Sequence, residues 1–240
     1  MSHSATSTPL RLGTPRRGAV VVGVAVLVTW AVILGLVVGF GWLITHPWQH
    51  AVDSFDNPIS RWFAGERTSA LNEPAEVGTF LGETIVGMSV AVVAALAFSL
   101  WQRSLVPVVF FALLTAGVGG FYFVATQVAP RPRPPVRILD AGLVADHSYP
   151  SGHVGTATAV YGGIVVLTWA FARGARRWVW VLLAVPAVVL IARLYQGAHH
   201  ATDVLASVVY TAVWLFVLGR LLLTGRLFSG HASDRGQQEM

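Results

Sequence analysis

The sequence predicts an all-α polytopic membrane protein, a bundle of six transmembrane helices, and three observations predict it. Of 240 residues, 55% are hydrophobic and 11% charged, with a mean hydropathy of +0.64; a soluble domain carries about a quarter charged residues. Six apolar runs approach the roughly 20 residues needed to cross a hydrocarbon core. Between those runs the basic residues fall into short clusters rather than one patch, which argues against a nucleic-acid surface despite a net charge of +5.

The runs are 18–45, 84–101, 104–130, 154–172, 178–192 and 204–219, the last extending to 223 if Arg220 snorkels to the interface. Pro186 is expected to kink the fifth, which neighbouring helices can tolerate. The segment "VDSFDNPISRWF" in the first long loop spaces Phe55, Ile59, Trp62 and Phe63 along one helical face. That spacing predicts an amphipathic helix lying at the interface. The membrane domain is therefore expected over 18–223, with disordered cytoplasmic tails over 1–17 and 224–240.

Orientation follows from arginine, because the chain has no lysine. With the N-terminus inside, Arg11, Arg16, Arg17, Arg103, Arg173, Arg176, Arg177, Arg220, Arg226 and Arg235 are cytoplasmic. Arg61, Arg67, Arg131, Arg133, Arg137 and Arg193 are outside. Ten against six places both termini in the cytoplasm. Cysteine is absent, so disulfides and thiolate metal sites are excluded.

In this topology three polar clusters share the outer side. The first, "TQVAPRPRPPVRILD", sets three arginines between prolines, and arginine's planar fork suits a phosphate. The second, "SYPSGHVGTATA", reads as a helix start. Ser151 is a good N-cap, Gly152 permits close backbone approach, and the free N–H groups of the first turn favour an anion. His153 sits on that turn. The third, "ARLYQGAHHATDVLAS", contains Arg193, His199, His200 and Asp203. On a helix Asp203 lies four residues from His199 and three from His200, so it can accept Nδ1–H from either and leave Nε2 free.

These clusters resemble the signature of the type-2 phosphatidic acid phosphatase superfamily, the membrane lipid phosphate phosphatases. Arg133-Pro134 match its first motif, Pro150-Ser151-Gly152-His153 its second, and Arg193, His199 and Asp203 its third. Two positions depart from it: Thr126 stands where the family has lysine, and Ala192 where it has serine before the arginine. The resemblance implies that His199 attacks phosphorus and forms a phosphohistidine, with Asp203 orienting it. His153 would act as acid and then base. Arg133, Arg193, Ser151 and Gly152 would hold the phosphate, assisted by Thr126 and Arg131. His200, out of register with the motif, would contact neighbouring groups or a headgroup. No metal and no other cofactor is expected.

The implied substrate is a lipid phosphate or pyrophosphate: a polyprenyl pyrophosphate, phosphatidic acid, diacylglycerol pyrophosphate or phosphatidylglycerol phosphate. It would be hydrolysed at the extracytoplasmic face of a plasma membrane, by family analogy a bacterial inner membrane. Two other readings use the same residues. One is a degenerate, non-hydrolytic protein that binds or transports lipid phosphates, which the missing lysine would favour. The other is a metal-dependent membrane hydrolase with ligands from His153, His199, His200 and Asp203.

Overall fold

The computed structural model describes residues 15–227, and its regular elements are helices with one isolated backbone bridge between Arg131 and His147. The chain opens with α1 (Pro15–Thr45), followed by two shorter helices, α2 (Gln49–Gly65) and α3 (Ser69–Gly82). Next come α4 (Thr84–Gln102) and α5 (Val106–Val128). A long loop leads to α6 (Gly152–Phe171), and α7 (Ala184–Tyr195) and α8 (Ala201–Leu227) complete the order. Apart from the ends of α1 and α8, the tails expected over 1–17 and 224–240 lie outside the described residues.

Among the described residues, five helices are long and apolar enough to cross a membrane: α1, α4, α5, α6 and α8. The run expected over 178–192 takes a different form. Val179–Leu183 winds as a 3-10 helix before α7 begins. Pro186 sits in the first turn of α7, where its missing N–H breaks no helical hydrogen bond. At about 2.0 Å per 3-10 residue and 1.5 Å per α residue, Val179–Tyr195 measures about 28 Å. It runs antiparallel along α6. Trp180 meets Trp169 near the end of α6, with ring centroids 5.1 Å apart, and Arg193 shares a cavity with His153 at its start.

α6 is the central helix and packs against α3, α4, α5, α7 and α8. Its small residues allow this. A Cβ at Gly162 would lie 2.8 Å from Leu215, and one at Gly163 2.8 Å from Phe111. Between apolar helices in lipid, such close approach is a main source of association. Phe110, Leu114, Phe121, Val160, Trp214 and Leu218 close the core around it. α1, by contrast, exposes Val20, Val24, Leu27 and Leu36 along its length.

α2 forms where the amphipathic spacing predicts a helix, but the side it turns to the protein mixes Asp56 and Ser60 with the partly buried Val52, Ile59 and Phe63. Asp56 and Ser60 are buried, while Phe55 and Trp62 are more than half exposed. The cause is an ion pair: Asp56 Oδ2 lies 2.8 Å from Arg131 Nη2.

Candidate active site

Three chain segments meet at one end of the bundle: the loop after α5, the first turn of α6 and the link from α7 to α8. They enclose a cavity of about 460 Å³. His199, His153, Arg193, Arg133 and Gly152 line its polar end, together with His147 and Tyr122. Met88, Val118, Phe123 and Val160 line the remainder, which reaches between α4, α5 and α6. One chamber thus offers cations and imidazoles at one end and hydrocarbon at the other.

His199 lies in the link before α8, so the four-residue helical spacing to Asp203 does not apply. Its Nδ1 is 2.6 Å from the carbonyl oxygen of Ser148. A carbonyl only accepts, so Nδ1 carries the proton and Nε2 keeps its lone pair. Burial, and next the positive charge of Arg193, holds the His199 pKa well below the ordinary imidazole value. The ring is a neutral base.

Asp203 therefore does not accept from His199. Its Oδ1 pairs with Arg131 Nη1 at 2.5 Å, and its Oδ2 accepts Ser148 Oγ–H at 2.6 Å and the His200 backbone N–H at 2.9 Å. His200 precedes α8 as its N-cap, so Asp203 at the third helical position makes half of a capping box. His200 Nδ1 is 3.3 Å from Asp203 Oδ2. Its ring lines a second hollow with Asp53, Asn57 and Arg131.

Arg193 is fully buried. Its Nη1 donates to Asp140 Oδ2 at 2.7 Å and Gln196 Oε1 at 2.9 Å. Thr79 on α3 donates to the same Gln196 oxygen at 2.7 Å. Nε and Nη2 are buried without a partner. These two nitrogens form one edge of the guanidinium, the edge that grips a phosphate with two parallel hydrogen bonds. Arg133 is fixed by Nε to Val144 O at 2.8 Å and by Nη1 to Ala198 O. Burial, then the neighbouring Arg193, lowers its pKa. Two arginines lining one cavity, of which Arg193 keeps Nε and Nη2 unpartnered beside its ion pair with Asp140, make an anion site.

The other expected phosphate ligands are placed differently. Ser151 precedes α6 as its N-cap; its N–H donates to Ser207 Oγ at 2.8 Å, while its own Oγ is buried and unpartnered. Gly152 lies on the cavity wall, where a Cβ would come within 3.3 Å of Tyr122. Thr126 is turned away: its hydroxyl donates to Tyr122 O at 3.1 Å and Phe123 O at 3.0 Å in its own helix. Arg131 is also outside the cavity. Burial would lower its pKa, but Asp203 and Asp56 outweigh that and raise it, and its guanidinium is occupied by both carboxylates and Thr202. Among the described residues, no group of three or more His, Asp or Glu side chains is placed to hold a metal ion.

The motif reading missed Ser148, Asp140, Gln196, His147 and Asp56. Only Asp56 has a signal available, a carboxylate seven residues from Phe63 and so on the same face of an amphipathic helix.

The profile of the PAP2 superfamily matches residues 106–225, half of the chain, and spans all of these segments. The chain belongs to the PAP2 superfamily. Its fold is also similar to that of a transmembrane PAP2 type phosphatidylglycerolphosphate phosphatase from Bacillus subtilis, with a TM-score of 0.66. The two are 22% identical, and the match covers 81% of this chain and 92% of that one. No curated protein sequence matches the chain. The PAP2 profile begins with α5 and ends within α8, so α1 to α4 lie outside it.

Proposed function

We propose that this PAP2 protein is a lipid phosphate phosphatase that works through a phosphohistidine on His199. The carrying observation is that Arg193, whose Nε and Nη2 have no partner, lines the same cavity as His199, whose Nδ1 is held by the Ser148 carbonyl. Arg193 and Arg133 hold the non-bridging oxygens. The His199 Nε2 lone pair attacks phosphorus, the bond from phosphorus to the lipid oxygen breaks, and protonated His153 gives its proton to that oxygen. Water then attacks the phosphohistidine, His153 takes the proton from water, and phosphate leaves His199 neutral again. Charge on the transferring group is balanced by fixed guanidinium groups, so the step requires no metal.

The cavity supports a lipid substrate. At roughly 30 Å³ per water it holds the volume of about fifteen waters, room for a headgroup and a short length of chain. A polyprenyl or diacyl tail would leave between α4, α5 and α6 into the bilayer. We favour a polyprenyl pyrophosphate or a related lipid phosphate. In this reading Val179–Tyr195 is the fifth of six spans, α2 rests at the interface on Phe55 and Trp62, and the site opens outside the cytoplasm of a bacterial inner membrane.

The test is phosphate release by the purified protein in detergent with EDTA, from a polyprenyl pyrophosphate and from phosphatidic acid. Release that survives EDTA, is lost in His199→Ala and persists in His200→Ala supports the reading. Release abolished by EDTA supports a metal hydrolase. No release from folded wild type supports a binding or transport protein.

A further inference from the structure

A chain of hydrogen-bonded residues joins α2 to His199, and of its members only Asp203 and His199 belong to the family motifs. It starts at Asp56, which is fully buried although it lies on a helix with an exposed aromatic face. Asp56 Oδ1 accepts the Thr202 backbone N–H at 3.1 Å, and Oδ2 accepts the Thr202 hydroxyl at 2.5 Å and Arg131 Nη2 at 2.8 Å. A second helix thereby caps the first turn of α8, where negative charge is favoured. Arg131 carries the connection on by pairing Nη1 with Asp203 Oδ1. Asp203 Oδ2 accepts the Ser148 hydroxyl at 2.6 Å, and the Ser148 carbonyl receives His199 Nδ1 at 2.6 Å. Ser148 is held from its other side too, since its N–H donates to the carbonyl of Arg131 at 3.0 Å.

We propose that Asp56 is a positioning residue for phosphoryl transfer, acting on His199 through Arg131, Asp203 and Ser148; this rests on His199 being the nucleophile. The charge balance explains why an acid is needed at position 56. Arg131 is buried between two carboxylates. Without Asp56 its Nη2 loses its closest acceptor, and the guanidinium is free to rotate toward Asp53, now 3.6 Å away. Asp203 and the Arg131 backbone move with it, and both hold Ser148. A shift of a few tenths of an ångström in the Ser148 carbonyl tilts the His199 ring. In-line attack is sensitive to such tilts, whereas phosphate binding by Arg133 and Arg193 is not, because neither touches this chain of bonds.

The experiment is a double-mutant cycle on phosphate release, with Asp56→Asn and Ser148→Ala measured singly and together, and with thermal midpoints recorded for each. Asp56→Asn is expected to lower kcat about tenfold and to change KM less than about twofold. Asp56→Glu should recover part of the loss. In the Ser148→Ala background, where the link is already cut, Asp56→Asn should cost less than about twofold more. Equal losses in both backgrounds, or a loss in KM alone, would overturn the proposal. Should Asp56→Asn fail to fold, Asp56→Glu takes its place in the same cycle, with a smaller loss in wild type and less than about twofold in the Ser148→Ala background. The Nδ1–H proton resonance of His199 gives a reading independent of turnover. It should move in Asp56→Asn, and an unmoved resonance refutes the relay. If wild type releases no phosphate while that resonance moves, the phosphatase reading fails and the relay stands as a structural coupling.

Discussion

Asp203 hydrogen-bonds the hydroxyl of Ser148, and it is the carbonyl of that same Ser148 that receives the His199 Nδ1 proton. The carboxylate thus reaches His199 indirectly, and its direct contacts are Arg131 and the N-cap of α8. Asp203→Asn should accordingly show a large stability cost. It leaves buried Arg131 short of one negative charge, and breaking a buried pair costs about 3–5 kcal/mol. Because Asp56 continues to pair with Arg131, the lower end of that range is expected. Thermal unfolding in detergent checks it; a midpoint equal to wild type would contradict the arrangement.

Arg193 tests the anion site itself. Arg193→Lys keeps the charge but loses the two-nitrogen edge that stands unpartnered in a residue lining the cavity. Charge-assisted hydrogen bonds are each worth about 1.5–3 kcal/mol, so kcat/KM should fall about 10- to 100-fold. Asp140→Asn should cost less, because Gln196 still holds Nη1. Steady-state kinetics on one lipid phosphate compare the two, and an equal or larger loss in Asp140→Asn would count against the assigned edge.

The helices were legible because membrane spans are written in long uncharged runs, and the motif spacing marked His153, His199, Arg133 and Arg193 as neighbours. What stayed hidden has physical reasons. A backbone carbonyl has no sequence signature, so the partner of His199 could not be read from residue types. The spacing of Asp203 from His199 suggests a helical pair, but the helix begins two residues after His199, and Asp203 instead caps His200. The burial of Asp56 is not written in its own helix, because the ion that buries it, Arg131, lies 75 residues away. α7 is shorter than the apolar run 178–192 because Val179–Leu183 winds as a 3-10 helix before it, a choice that hydropathy does not encode.

The neutral, buried state of His199 makes stability depend on pH. Its folded pKa lies well below the usual value of about 6.5. Below that value the unfolded chain binds a proton that the folded chain does not, so unfolding becomes easier as pH falls. This group contributes up to about 1.4 kcal/mol per pH unit between the unfolded and folded pKa values. Thermal midpoints measured from pH 7 to pH 5 should drop, and they should drop less in His199→Gln. An identical pH slope in the variant would show that His199 is not buried as a neutral ring.

Thr126 stands where lysine is found in the family signature, and the structure predicts that its side chain does little for turnover. Its hydroxyl is bonded to the Tyr122 and Phe123 carbonyls, and the residue is 2% exposed. A hydroxyl satisfied by its own helix has no donor left for a phosphate. Thr126→Val keeps the shape and removes only that internal bond, worth about 0.5–1.5 kcal/mol of stability. Phosphate release by this variant should stay within about twofold of wild type, with a slightly lower thermal midpoint. A tenfold fall in kcat/KM at an unchanged midpoint would mean that the hydroxyl turns from its helix to the phosphate when substrate binds.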